Sequence, residues 1–470
     1  MEVFFNEKNQ IVGSSTTNYL LEKIRVVQQQ QNERNFHVFY QLTKSANQGQ
    51  RRDFSLGQPT DYAYLAMSNC INVDSIDDAR DFKDMQSALT ELLFSQQEQA
   101  WLFTIVSAVL ALGNIEFRGG KTAGSQIPDM AWANVAAGLM GVAPKDMAKA
   151  LTNRELRIKG QASTTVPLSS KEAGDTRDAL GKFAYSKMFD WIVIKINKAM
   201  GNMEGRPGGG RSSIGILDIF GFEIFQQNSF EQLCINFTNE MLQQHFNNQT
   251  FKLEEQVYKQ EQIQFKHIEF IDNQPVLDLI MKKPAGVIPM LDEELVMPKG
   301  SDQTFLQKLH LQYKGNKYFS GVLSNPNLFV INHYAGVVTY DAVGFLEKNR
   351  DTLTDDLLEM LGTSKMGLIN LLFPKDVKLT TQEKKASLGK QFTQQLLELM
   401  GALNKTNPHY IRCVKPNDEK SPSTFVPRNC LDQLTYSGVF EAVAIRKQGF
   451  PFRLTHNVFF DHYKCLMASK

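Results

Sequence analysis

Apolar residues recur at helical spacing soon after the start of the chain. Tyr19, Leu20, Leu21, Ile24 and Val27 share one face, and Phe36, Phe39, Tyr40 and Thr43 repeat the interval. Each set predicts a helix packed on a core. Between Leu89 and Leu112 the positions are apolar-rich and include Trp101, Phe103, Ile105 and Val109, which predicts a buried helix ended by Gly113 and Asn114. The runs 119–124 (GGKTAG) and 205–210 (GRPGGG) carry too much glycine for regular elements and predict loops, with an amphipathic helix from Arg177 to Met200 between them.

After the second loop comes IGILDIFGFEIF, an apolar run of strand length that stops at Asp218 and is broken again at Gly221, as a buried strand opening into a loop would be. Phe230, Leu233, Cys234, Phe237 and Met241 then fall at i, i+3, i+4, i+7 and i+11. They predict one helix from about Asn228 to Tyr258, roughly 45 Å long at 1.5 Å per residue, long enough to carry displacement between distant sites. Further on, NLFVINHYAGVVTYD predicts a hairpin around Ala335 and Gly336, and the polar stretch VKLTTQEKKASLGK an exposed, mobile loop. Strands and helices mixed in this way indicate an α/β class with helices in the majority, and there is no internal repeat.

Length and charge narrow the picture. The 470 residues suffice for roughly three domains of about 150 residues. With 51 basic and 50 acidic side chains the net charge is +1, so the overall balance favours neither nucleic acid nor an anionic membrane. Any polyanionic or acidic partner must be met by a local patch. Cys70, Cys234, Cys413, Cys430 and Cys465 are far apart without a C-x-x-C pair, which argues against zinc and disulfides and for a reducing, cytoplasmic setting. No window reaches about 18 consecutive apolar residues, and MEVFFNEKNQ lacks a leader pattern, so neither export nor a membrane span is expected.

Two segments suggest phosphate chemistry. Gly120-Lys121-Thr122 ends like a phosphate-cradling loop, but the full pattern needs a glycine where this chain has Ile115, and no helix start follows between Ala123 and Pro128. A surface loop is the expectation there. Gly181-Lys182 and Gly389-Lys390 are followed by Phe183 and Gln391, so the sequence holds no Walker A loop. That matters, because triphosphate chemistry depends on positioning and on charge stabilisation by backbone amides, a lysine and magnesium. The other segment is Asp218-Ile219-Phe220-Gly221-Phe222-Glu223. An aspartate leaving a strand can hold a magnesium-bound water, and a glycine three residues on can bring its amide to a terminal phosphate because no side chain blocks the approach. A glutamate two residues beyond can anchor a movable gate by pairing with an arginine. Taken as a bare Asp-x-x-Gly, the pattern also fits a plain strand cap.

Followed by NSFEQLCINFTNEMLQQHF, however, DIFGFE resembles the switch II loop and relay helix of myosins. Kinesin and small GTPase switches share Asp-x-x-Gly but not this helix. The resemblance covers nearly the whole chain in the family's order. NYLLEKIRVV and NERNFHVFYQL look like the helices after switch I, and TRDALGKFAYSKMFDWIV like the helix entering the central sheet. HYAGVVTYDAVGFLEKNRD, GKQFTQQLLELMGALNKTNPHYIRCVKPND and GVFEAVAIRKQGFP resemble lower-domain and force-transmitting segments. The resemblance implies a myosin-type P-loop motor fold, a central mixed sheet flanked by many helices, with its N-terminal part and P-loop missing. Residues 1–217 would be the upper region with part of the central sheet, 218–263 switch II and the relay helix, 264–440 the lower, actin-binding region, and 441–470 a force-transmitting helix and the start of the converter.

Carried over by position, Asp218 is similar to the aspartate that reaches magnesium through water, with no direct metal ligand implied, and Gly221 to the amide that senses the γ-phosphate. Glu223 is similar to the partner of the switch I arginine, which is expected upstream of Met1 because MEVFF looks like the strand after switch I; Glu223 would then lack its partner in this chain. The implied ligands are ATP and Mg²⁺ in the intact motor, with neither tight binding nor ATPase activity expected of this chain alone. The implied partner is the actin filament, with a light chain or calmodulin only where further C-terminal sequence is present. Leu396 to Asp418 resembles an actin-interface helix and loop. Within it Leu396, Met400, Asn404, Lys405, Lys415 and Asp418 are the candidate contacts, while Pro408, His409 and Tyr410 shape the turn. Lys384 and Lys385 sit where myosins place a flexible basic loop, although two lysines alone also read as solvated charge. Lys283 to His310 resembles a helix-loop-helix that docks on actin through Met290, Leu291, Val296 and Met297, with burial in the core as the competing reading. Tyr436 and Arg446 stand where many myosins have reactive cysteines, and Ala162, beside Ser163 and Thr164, where some carry a regulatory residue. The leading expectation is part of an actin-based cytoskeletal motor. Its alternatives are a non-catalytic actin-binding module and an incompletely read gene whose upstream part encodes the missing loops.

Overall fold

The computed structural model describes residues 1–18, 22–29, 31–120, 124–156, 163–201, 212–249, 253–260, 262, 272–350, 353–374, 387–417, 419, 421–437, 439–440, 443, 452 and 454–467. The chain forms two compact units, one of Met1–Asp218 with Asp351–Ala386, the other of Ile219–Arg350 with Ser387–Lys470. It is helix-rich with small antiparallel sheets.

In the first unit β1 (Glu2–Phe5) pairs with β2 (Ile11–Ser15), and the core forms around α1 (Gln96–Gly113) and α2 (Ser170–Ala199). From Leu102 to Gly113 nearly every residue of α1 is buried. The apolar run that begins at Leu89 is nonetheless two helices, because Asp78–Glu91 ends, Leu93 turns with a φ of 62°, and Ser95 restarts the chain. Ser95 Oγ accepts the Glu98 N–H at 3.2 Å while Glu98 Oε2 accepts the Ser95 N–H at 2.9 Å, a reciprocal cap that periodicity alone does not reveal. A similar cap, Ser169 with Glu172, starts α2 seven residues before the Arg177 expected from the pattern. The helix expected from Tyr19 to Val27 is a short 3₁₀ turn, Lys23–Val26, with Tyr19, Leu20 and Leu21 outside the described residues. Phe39, Tyr40 and Thr43 are helical as the spacing predicts, within His37–Ser45, and Phe36 is the non-helical residue that precedes it.

The strand before Asp218 departs from expectation. β3 (Ser212–Gly215) pairs antiparallel with β1, giving the order β2-β1-β3. Its four residues are exposed, as are Ile214 at 57% and Ile216 at 54%. β-branched composition selects a strand, but burial needs a second layer over it, and β3 sits at a sheet edge.

The second unit is built on α3 (Phe230–Asn247), buried along most of its circumference. The single helix expected to reach Tyr258 is described as α3, a widened π-type turn at Asn248 and Gln249, and α4 (Leu253–Gln260), with 250–252 outside the described residues. At 18 residues, α3 spans about 27 Å. The same unit holds α5 (Val287–Val296), α6 (Asp302–Gln312), a sheet of β4 (Phe319–Gly321), β5 (Leu328–Asn332) and β6 (Val337–Asp341), and α7 (Leu388–Leu403); β6 and α7 pack on α3. β5 and β6 form the expected hairpin, pairing Leu328 with Asp341 and Ile331 with Val338. Phe329 stacks on Tyr340 at 5.4 Å and meets Phe345 edge-on at 5.8 Å, which fixes the inner face of the sheet.

Candidate functional site

The segment after Asp218 is held to α3 by side-chain amides. Asn236 Oδ1 accepts the Glu223 N–H at 2.8 Å, and Asn236 Nδ2 donates to the Glu223 carbonyl at 2.8 Å. One turn on, Asn239 Nδ2 donates to the Phe220 carbonyl at 3.1 Å. Residues three apart on a helix share a face, so the two amides grip the loop from one side of α3. Asn228 repeats the device just before the helix, accepting the Phe225 N–H at 2.8 Å and donating to the Phe225 and Thr339 carbonyls at 2.9 and 3.0 Å. Gly221 lies exposed between the Phe220 and Glu223 grips and Asp218 is exposed just ahead of them, and a Cβ placed on Gly221 would meet nothing within 4 Å. Glu223 is not without a partner, since its Oε2 accepts from Gln232 Nε2 at 3.4 Å.

Behind the loop runs a buried polar chain. Asn236 Nδ2 also donates to the Tyr340 hydroxyl at 3.0 Å, which lies 2.8 Å from His333 Nε2. His333 Nδ1 is 2.9 Å from Glu240 Oε1, and both side chains are fully buried. With Asn236 donating to its oxygen, Tyr340 passes its proton towards Nε2, which leaves the ring proton on Nδ1 facing Glu240. The Tyr334 N–H and Asn273 Nδ2 complete the carboxylate at 3.0 and 2.5 Å. Burial pushes the Tyr340 phenol far above its ordinary value, so it stays protonated as this direction requires. Phe222 closes the loop side, its ring edge-on to His333 at 5.2 Å and to Tyr334 at 5.5 Å. Asn273 Oδ1 meets no partner among the described residues, but the remaining polar atoms of the chain are joined, which favours one geometry because an alternative would leave buried groups unpaired. Motif reading selects Asp218, Gly221 and Glu223 but misses Asn236, His333, Glu240 and Tyr340. The available signal was Asn236 and Glu240, polar residues four apart that share the helix with the apolar positions Leu233, Phe237 and Met241.

The other candidates divide by exposure. Met290 and Leu291 are buried and pack within the unit, whereas Val296 at 75% and Met297 at 44% stand out at the turn between α5 and α6. On α7, Leu396 and Met400 are buried, while Asn404, Lys405 and, further on, Lys415 are exposed. Asn349 ties the two helices together, donating to Asp292 Oδ1 at 2.9 Å on α5 and accepting the Gly389 N–H at 2.7 Å at the start of α7. His409 is exposed, and Tyr410 packs back on the end of α3, its hydroxyl 2.5 Å from His245 Nδ1 and its ring edge-on to Phe246. Lys384, Lys385, Asp418, Lys121, Thr122, Ala162 and Arg446 lie outside the described residues. Among the described residues no group of three or more His, Cys, Asp or Glu side chains could hold a metal ion, and no helix is long and apolar enough to cross a membrane.

The site is thus an exposed Asp-x-x-Gly segment whose Phe220 and Glu223 backbone is hydrogen-bonded to side-chain amides of a buried helix. Comparison with known proteins gives the family. The family model of the myosin head (motor domain) matches residues 1–470, and the chain belongs to that family. It is 45% identical over 480 residues to the high molecular weight form of myosin-1 from Acanthamoeba castellanii, covering 99% of this chain and 30% of that protein. It is 42% identical over 476 residues to the myosin-I heavy chain of Dictyostelium discoideum, at 99% and 20%, and 41% identical over 470 residues to myosin-6 of Arabidopsis thaliana, at 99% and 31%. The chain thus spans less than a third of the length of these relatives.

Proposed function

We propose that this chain forms the switch, relay and filament-binding portion of an actin-based motor that couples ATP hydrolysis to movement. The observation that carries the reading is the double hydrogen bond between Asn236 and the Glu223 backbone, which makes a loop of the phosphate-sensing type and the helix behind it one mechanical piece. The open space at Gly221 fits approach by a phosphate group, and the exposed Asp218 carboxylate fits a magnesium-bound water. Bound Mg-ATP would supply the anhydride whose hydrolysis drives the cycle. The chain's own part is to offer the Gly221 amide, orient a water through Asp218, and pass a shift of the loop into α3 through Asn236 and Asn239. The architecture proposed for the intact motor is the P-loop type with a central mixed sheet. Actin would be met by Val296 and Met297, by Asn404, Lys405 and Lys415, and, on sequence alone, by Lys384, Lys385 and Asp418. Met290, Leu291, Leu396 and Met400 would support that surface from beneath. An actin partner implies residence in the cytoplasm on the cytoskeleton.

The missing G-x-x-x-x-G-K-[ST] pattern favours a second reading for the 470 residues by themselves, a filament-binding module without catalysis. Isothermal titration of the 1–470 chain with Mg-ATP tests this second reading. No heat of binding is expected at micromolar to millimolar ATP; a micromolar dissociation constant would show that the sequence binds nucleotide without a Walker A loop and would overturn the second reading.

A further inference from the structure

We propose that Glu294 is a positioning residue that locks the turn between α5 and α6 in one conformation, so that Val296 and Met297 meet their partner preformed. The proposal rests on reading that turn as a filament contact.

Glu294 lies in the last turn of α5, where the helix dipole disfavours a carboxylate, and it is only 2% exposed. Helix stability and burial both argue against glutamate there, so its contacts must account for it. Its Oε2 accepts the Thr304 hydroxyl at 2.5 Å and its Oε1 accepts Lys308 Nζ at 2.5 Å, both from α6. Burial pushes the Glu294 carboxyl up, but Lys308 and Thr304 outweigh that and hold it below the usual range. Thr304 is also half of the cap that starts α6. Its Oγ1 accepts the Ser301 N–H at 2.9 Å and Ser301 Oγ accepts the Thr304 N–H at 3.1 Å. One carboxylate therefore joins the end of α5 to the start of α6 across Met297–Ser301. The turn closes tightly on the same residue, since a Cβ on Gly300 would lie 1.9 Å from the Glu294 carbonyl oxygen. Val296 and Met297 are the side chains this clasp leaves outside, at 75% and 44% exposure. A contact presented ready-made avoids the ordering cost that a loose turn would incur on binding.

The test compares actin co-sedimentation, amide exchange at residues 297–301 and thermal midpoint for the 1–470 chain and its variants. Glu294→Gln is expected to bind actin about tenfold more weakly and to exchange faster in the turn, and Thr304→Ser to behave as the parent. Val296→Ser with Met297→Ser is expected to weaken binding without altering exchange. Adding Glu294→Gln to that pair is expected to cost nothing further, because the two act through one contact. Should Glu294→Gln fail to fold, Lys308→Met removes the exposed half of the clasp and is expected to weaken binding about threefold with faster exchange. Full additivity of Glu294→Gln with the tip substitutions, or faster exchange with unchanged affinity, would overturn the positioning role. If the tip substitutions leave binding unchanged, the filament-contact reading fails and the proposal fails with it.

Discussion

Asn236 completes three groups at once, the Glu223 N–H, the Glu223 carbonyl and the Tyr340 hydroxyl. Asn236→Ala removes all three bonds, leaving the Tyr340 hydroxyl with His333 alone, and is predicted to lower stability by about 2 kcal/mol in urea denaturation. The chemistry of Asp218 and Gly221 is legible because motif residues lie a few positions apart, and the fold need only bring the loop to the surface. The role of Asn236 is not, because an asparagine between Leu233, Cys234 and Phe237 reads as the margin of an apolar face. Its partners, Glu223 and Tyr340, are 13 and 104 positions away. Gly141 shows the same limit. With φ of 68° it ends the helix Ala131–Met140, and a Cβ there would lie 2.6 Å from the Met366 nitrogen. Gly141→Ala is predicted to cost about 2 kcal/mol or more in the same assay.

At the scale of elements, the hairpin β5–β6 was legible because its β-branched and aromatic pattern is local, and the pair α5–α6 through its resemblance to a family segment. The widened turn at Asn248 and Gln249 and the exposure of β3 were not, because each depends on what packs alongside. The end of α3 carries a pH dependence of its own. Burial holds His245 below its ordinary value of 6.5, Nδ1 faces the Tyr410 hydroxyl, and Nε2 meets no partner among the described residues. The facing groups are the Tyr410 hydroxyl, which burial pushes up to about 12, and the Arg412 guanidinium over the Tyr410 ring at 5.5 Å. Neither can balance a second positive charge. As pH falls, the unfolded chain takes up the histidine proton first, so the stability held here is full above about pH 6.5 and declines below it towards the folded value. His245→Phe is predicted to flatten stability between about pH 7 and 5, read by urea midpoints across the range.

For the molecule as a whole, family membership was legible because the motifs recur in order along the chain. The return of Asp351–Ala386 to the first unit was not. It is made by Ser364 Oγ donating to the Met140 carbonyl at 2.6 Å and the Lys365 N–H to that of Gly141 at 2.9 Å, contacts more than 200 positions apart. In the second unit, exposed Lys405 and Lys415 are predicted to make actin binding salt-sensitive. Reversing both to glutamate should weaken co-sedimentation at low salt and flatten its salt dependence. The central claim is that the loop after Asp218 and α3 move as one piece. Amide exchange of the 1–470 chain and its Asn236→Ala variant tests it most directly. The account predicts that exchange in residues 219–225 and in Phe230–Asn247 rises together; a freed loop over an unchanged helix would contradict it.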